Sequence, residues 1–193
     1  VMTCVVAIQA LIFQDGGLLV LGANLFNMAI LGPFVAYPVY KLIQRISGGK
    51  SWGVFAGGGV AAWASIFVAS LSCALQIAIS GTSPANVAVP AMAGIHALIG
   101  LGEALITVGA LSLVYAARRD LLQAGAAQPA RANAAVWVGG GLLTLALVIL
   151  SPLASANPDG LEWVAEQAGF IETARNPSYN IIPDYVLPGV SNE

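Results

Sequence analysis

Residues Ala91 to Tyr115 read AMAGIHALIGLGEALITVGALSLVY, and this stretch decides the fold. At 1.5 Å per residue it makes a helix of about 38 Å, long enough to cross a hydrocarbon core of roughly 30 Å. It holds the chain's one histidine, His96, and a single carboxylate, Glu103. His96, Gly100, Glu103, Thr107 and Ala110 recur at helical spacing, a small and polar stripe expected to face protein or water. His96 and Glu103 stand about 10 Å apart along the axis, too far to share one ion. They read as the upper and middle members of a buried polar column. Ionisable groups at this depth are costly and mark a functional site by default; the plainer alternative is hydrogen bonding across helices, with Glu103 reaching Thr107.

The composition agrees with a membrane protein. Of 193 residues, 58% are hydrophobic and 8% charged, against about 25% charged in soluble domains, and mean hydropathy is +0.84. The net charge of -2 argues against a nucleic-acid partner, which needs a basic surface to neutralise phosphates. Cys4 and Cys73 lie in separate apolar runs without CxxC spacing, so neither a disulfide framework nor a zinc knuckle is expected. SGGKS at residues 47–51 ends like a phosphate-binding loop, but Gln44 stands where the first glycine belongs and no strand precedes it, so no nucleotide is expected there.

The apolar run Val1 to Phe13 would reach only about 20 Å and reads as the tail of a longer span. Four fuller spans follow, about Leu18 to Tyr40, Trp52 to Ser80, Ala91 to Tyr115 and Ala134 to Leu150. The expected fold is therefore an all-α multi-pass bundle, one partial span plus four fuller ones, with a short extracytoplasmic helix and loop behind it. Lys41, Arg45 and Lys50 fall in one connection and Arg118, Arg119 and Arg131 in another two spans later. QDGG at 14–17 and GTSPANVAVP at 81–90 carry no lysine or arginine. The positive-inside rule makes the basic side cytoplasmic and puts the acidic tail after Leu150 outside.

Small residues predict close helix packing where lipid supplies little drive: Gly53 and Gly57 as a GxxxG, then Gly58 and Gly59, and later Gly139 to Gly141. Counted inward from the outer ends of their spans, Gln9, Asn24, Gln76 and His96 are expected on the order of 6 to 9 Å deep, Asn27 near 13 Å and Glu103 near 18 Å. Asn24 and Asn27 share a face. With Asp15 of the QDGG turn, these residues are the candidates for a transport core.

QALIFQDGGLLVLGANLFNMAILGPFVAYPVYKLI (9–43) and the AMAGIHALIGLGEALIT region (91–107) closely resemble the CbiM/NikM family, the membrane-embedded substrate-binding components of energy-coupling-factor transporters for cobalt and nickel. The resemblance runs from about Val6 to Tyr115. Behind the last span, PDGLEWVAEQAGF (158–170) and PDYVLPG (183–189) resemble the PDGLE or NikN/CbiN-like accessory region that some relatives carry fused. Pro158, Asp159, Gly160, Leu161 and Glu162 are its motif. The resemblance implies two parts, a transmembrane domain over 1–150 and an extracytoplasmic region over 151–193. It implies a transported Ni(II) or Co(II), a transmembrane coupling component, a pair of cytosolic ATPases, and the plasma membrane of a prokaryote. Nitrogen-rich ligation suits these ions.

The departures bear on the site. The family's metal-holding Met-His amino terminus and the histidine of its Gly-Thr-Ser-x-His segment precede the part matched here, and Gln14 replaces the first glycine of a GDGG turn. The chain reads as a fragment lacking both ends, with no ligand set to assign to metal; His96, a lone imidazole, is too little for a tight divalent site. In the accessory region Asn157 before Pro158 suits a helix start, Asp159 and Glu162 alternatively form a DxxE box, and Gly169 is a natural stop. Trp163, Phe170, Tyr179 and Tyr185 are expected at the membrane interface, where the region would act as a lid or loader beside metal entry. The chain is thus expected to be a transport component with no enzymatic activity or bound cofactor of its own. Two rivals remain: a secondary carrier or channel using His96 and Glu103 as a proton relay, and an intramembrane hydrolase using Glu103 as its acid. Neither inverted repeats nor a nucleophile beside a base is evident for them.

Overall fold

The computed structural model describes residues 1–117, 122, 158–174, 179, 181 and 182. Among the described residues regular structure is entirely helical. An apolar helix α1 (Met2–Phe13) precedes three helices long and apolar enough to cross a membrane, α2 (Gly17–Ile46), α3 (Ser51–Ile79) and α4 (Ala85–Ala117). A short helix α5 (Gly160–Ala168) and a single 3-10 turn (Ile171–Thr173) belong to the accessory region. The expected span over 134–150, its Gly139 to Gly141 and the connection bearing Arg118, Arg119 and Arg131 lie outside the described residues.

The helices differ from the expected spans at their ends. The 81–90 connection shrinks to a turn, because the Pro84 carbonyl accepts the amides of Val87 (3.0 Å) and Ala88 (2.9 Å) and opens α4 there. Pro90 then lies inside α4, still close enough to the helix start that its missing N–H costs a single bond. At 33 residues α4 is about 50 Å long, about 20 Å more than the hydrocarbon core, so its end turns can stand beyond the lipid. Both α1 and α2 also contain π-helical segments, Gln9–Phe13 and Leu25–Leu31. Between them the chain reverses through Gln14, whose backbone is left-handed (φ 62°, ψ 17°), and Gly16 (φ 69°).

Helix α3 is the centre of the bundle, packed on α2 by one face and on α4 by the other. Its glycines sort by face. A Cβ at Gly53 would run into Ser47, and one at Gly57 would meet the Tyr40 ring at 3.0 Å, both on α2 or the turn behind it. A Cβ at Gly58 would overlap Leu111, and at Gly59 would meet Val108 at 3.0 Å, both on α4. The GxxxG thus serves the α2 seam, and the two following glycines serve the α4 seam. Across the latter, Trp63 lies against Gly100 and donates Nε1–H to the Ala97 carbonyl at 3.0 Å. Its ring stacks on Phe67 with centroids 5.0 Å apart. A bare glycine at 100 is what lets the indole reach backbone on the next helix.

Candidate transport site

Two polar features lie toward the end of the bundle where α3 turns into α4. The first joins α2 to α3. Asn27, buried in the π-helical segment of α2, faces Gln76 and Ser72, one turn apart on α3. Asn27 Nδ2 donates to Gln76 Oε1 (3.1 Å), and Asn27 Oδ1 accepts from Gln76 Nε2 (2.9 Å) and Ser72 Oγ (2.8 Å). Gln76 Nε2 is also 3.2 Å from Ser72 Oγ. Two amides paired face to face satisfy each other in a medium that offers no water, and the hydroxyl takes the remaining lone pair of Asn27.

This pairing corrects the expected depths. Residue counts put Asn27 about 7 Å deeper than Gln76, yet the two touch. Counts from helix ends do not convert to a common height when helices tilt and a π segment shortens one of them. Of the expected outer layer of Gln9, Asn24, Gln76 and His96, Gln76 is the member that takes part in this pairing. The Asn24 amide lies over Gly16, at 2.8 Å from where a Cβ would stand. Gln9 is half-buried in α1, and its carbonyl accepts the amides that close the turn at Gln14 and Asp15. Asp15 itself is exposed. Ser72 was missed, although its i, i+4 spacing to Gln76 was a readable signal.

The second feature is where the accessory helix meets α4. Helix α5 is capped by Asp159, whose carboxylate accepts the Glu162 amide at 2.7 Å, so Asp159 wins over Asn157 as the start. It ends at Gly169 in the left-handed conformation (φ 76°). Its buried face, Val164 and Ala165, joins Phe170 with Ala74 of α3 and Ala88 and Met92 of α4 in one apolar cluster. A nine-residue helix does not hold itself in water; burying two large side chains here supplies on the order of 3 to 6 kcal/mol before ordering costs. Phe170 is therefore a core residue rather than an interface anchor. Of the other aromatics, Trp163 is exposed, Tyr179 donates its hydroxyl to the Ala10 carbonyl of α1 at 2.9 Å, and Tyr185 lies outside the described residues.

His96 is the point of contact. Its Nδ1 stands 3.0 Å from the Met92 carbonyl one turn back, a spacing that suits an Nδ1–H donor and leaves Nε2 on the far side of the ring. There it meets Gly160, the first residue of α5. A Cβ on that residue would stand 2.9 Å from His96 Cε1, 3.0 Å from Nε2 and 2.7 Å from Ile99 Cδ1. The glycine of PDGLE is thus the residue that lets the helix start seat on the imidazole.

Glu103, two turns further in, is exposed, where a buried column was expected. The face of α4 turned to α3 is centred on Gly100, Ala104 and Val108, and Glu103 lies at its margin; Thr107 is half-buried against Gly58. Among the described residues no group of three or more His, Cys, Asp or Glu side chains is placed to hold a metal ion.

The family model for CbiM, the cobalt uptake substrate-specific transmembrane region, matches residues 1–121. The chain belongs to the CbiM family. The PDGLE domain model matches residues 133–192. A sequence from Archaeoglobus fulgidus of the fused nickel transport NikMN kind is 35% identical over 98% of this chain and 61% of its own length. The fused nickel transport protein NikMN of Rhodobacter capsulatus is 34% identical over 94% of this chain and 57% of its own. The cobalt transport protein CbiM of Moorella thermoacetica is 31% identical over 67% and 51%. The chain thus spans between half and two thirds of the length of these relatives. No solved structure matches it.

Proposed function

We propose that this CbiM-family chain captures Ni(II) or Co(II) for import, as the substrate-specific membrane component of an energy-coupling-factor transporter, with ATP hydrolysed by separate cytosolic partners and a transmembrane component coupling the two. The observation that carries this reading is the seating of α5 on the outer turns of α3 and α4, directly against His96. An accessory segment packed there stands where an ion arriving from outside would enter the bundle. The fused order of the NikMN relatives supports the same reading, with the transmembrane part over 1–150 and the extracytoplasmic part over 151–193.

In this scheme the basic connection at Lys41, Arg45 and Lys50 faces the cytoplasm, and the accessory region lies outside the plasma membrane of a prokaryote. Asn24, Asn27, Gln76 and the outer end of α4 hold the helices in register around the entry. Glu103, at the margin of the α3 seam, faces what packs beside α4 during coupling.

The test is uptake of radioactive nickel and cobalt by cells expressing the full-length protein with and without its partner ATPases. Uptake is expected only with the ATPases present. Transport into protein-free liposomes by the purified membrane component, driven by a proton gradient alone, would instead make it a secondary carrier.

A further inference from the structure

The inner end of α2 carries a feature that metal capture does not use. Tyr37, Lys41 and Arg45 stand at i, i+4 and i+8, all exposed, and with Pro38 and Leu42 they line an open groove of about 490 Å³ on the outer face of the helix. Leu42 and Tyr37 are 58% and 64% exposed, far more than a packed helix face leaves. The Lys41 ammonium is folded back over the Tyr37 ring, 5.4 Å from its centroid. Tyr37 lies on the membrane side of Lys41, so the contact draws the ammonium toward the hydrocarbon rather than away from it, which is the reverse of ordinary snorkelling.

Depth fixes what this groove meets. At 30 residues α2 is about 45 Å long, and its charges, Lys41 and Arg45, fall only in its last two turns, beginning one turn beyond Tyr37, so this end belongs at headgroup height. The hydrocarbon core is about 30 Å thick and the bilayer with its headgroups about 40 to 45 Å. Tyr37 therefore marks the hydrocarbon edge, where aromatics are favoured, and the two cations stand at headgroup height with Leu42 and Pro38 beside them at the acyl boundary. Helices α2 and α3 supply no counter-charge. Between Asp15 and Glu103 the sequence holds no aspartate or glutamate, so neither the rest of α2 nor α3, which packs on it, brings a carboxylate.

We infer that this groove is a binding site for one anionic phospholipid, its phosphate held between Lys41 and Arg45 and an acyl chain lying along Pro38 and Leu42. Charge complementarity and depth select this occupant: a lipid phosphate is the anion present at that height around the whole circumference of the helix, and a neutral groove wall beside two cations fits its two-part chemistry. Tyr37 acts as the positioning residue, holding the Lys41 ammonium over the groove.

The experiment uses the full-length protein in nanodiscs of phosphatidylcholine doped with phosphatidylglycerol, followed by native mass spectrometry after graded delipidation. The wild type is expected to retain phosphatidylglycerol over phosphatidylcholine. Lys41→Gln with Arg45→Gln is expected to lower that preference roughly tenfold, since each cation contributes at a membrane surface. Tyr37→Ala, which keeps both charges, is expected to lower it about two- to fivefold, and Lys50→Gln in the neighbouring turn to leave it unchanged. Equal retention of the two lipids by the wild type, or an unchanged preference in the double variant, overturns the inference. Displacement of the bound lipid by inorganic phosphate alone would reduce the site to a generic anion pocket and equally overturn it. If the double variant keeps its lipid but no longer co-purifies with the ATP-hydrolysing partners, the stripe is a protein docking surface instead.

Discussion

Gly160 Cα lies so close to the His96 imidazole that a single methyl group at residue 160 would stand 3.0 Å from Nε2. The accessory region and the membrane region meet through a position with no room for a large side chain. Because Nδ1 faces the Met92 carbonyl at 3.0 Å, the ring cannot turn away without giving up that bond. Alanine at 160 presses mainly on the end of Ile99, which can swing; a larger side chain must lift the helix start.

Gly160→Leu should therefore undock α5. Cys73 is half-buried in the cluster that α5 covers and reports the change. In a Cys4→Ser background, labelling of Cys73 by a membrane-impermeant maleimide should rise several-fold in Gly160→Leu and fall back toward wild type when His96→Ala is added. Rescue by the second substitution separates loss of this contact from general unfolding. Equal labelling in wild type and Gly160→Leu would show that the seat at His96 does not hold the helix.

The amide pair between α2 and α3 predicts strongly non-additive substitutions. Asn27→Leu or Gln76→Leu alone leaves the other amide with Ser72 as its remaining partner and short of its inter-amide bonds, at about 1 to 3 kcal/mol each, although measured hydrogen bonds between membrane helices average nearer 0.6 kcal/mol. Asn27→Leu with Gln76→Leu removes both and should cost less than the sum of the two. Thermal unfolding in detergent checks this. Full additivity would mean that the two side chains do not depend on each other.

Gln14 is a site where the sequence departs from its own structural requirement. Its backbone is left-handed, which costs a residue with a Cβ about 1 to 2 kcal/mol, and among the described residues its buried Nε2 has no hydrogen-bond partner. Gln14→Gly should stabilise the protein by about 1 kcal/mol after the greater chain entropy of glycine is subtracted. That is a rise of a few degrees in Tm. A lower Tm would show that the Gln14 side chain packs better than its backbone fits.

Much of this was legible beforehand, and for identifiable reasons. Long apolar runs and GxxxG spacing act locally, so the three membrane-crossing helices and the close seams at Gly53, Gly57, Gly58 and Gly59 followed from residue type alone. The Asp159 cap and the Gly169 stop obey rules confined to one turn of helix. Heights were not legible, because tilt and the π segments of α1 and α2 leave no mark in hydropathy, and so Asn27 and Gln76 were placed apart. The burial of Phe170 was missed for a related reason: an aromatic beside a membrane surface suits the interface and a docked core equally, and only the partner helices decide. Trp63 went unread because its partner is the backbone carbonyl of Ala97, which no side-chain pattern announces.

The arrangement on α4 separates the roles of its two ionisable groups. His96 is half-buried nearer the start of α4, in contact with α5, and Glu103 is exposed about 10 Å further along. If His96 positions the accessory helix over the entry, His96→Ala in the full-length protein should weaken nickel or cobalt binding by about 10 to 100 fold, the range seen when a group supporting metal ligands is lost, without abolishing it. Glu103→Gln keeps the shape and removes the charge. It should leave equilibrium binding near wild type and lower ATP-dependent uptake, because an exposed carboxylate beside the α3 seam bears on the helix packing that accompanies transport rather than on the ion at the mouth. Both quantities are measured at matched expression. Complete loss of binding in His96→Ala with the fold intact would make the imidazole a direct ligand. Wild-type binding and uptake in both variants would leave the pair only a structural part in α4.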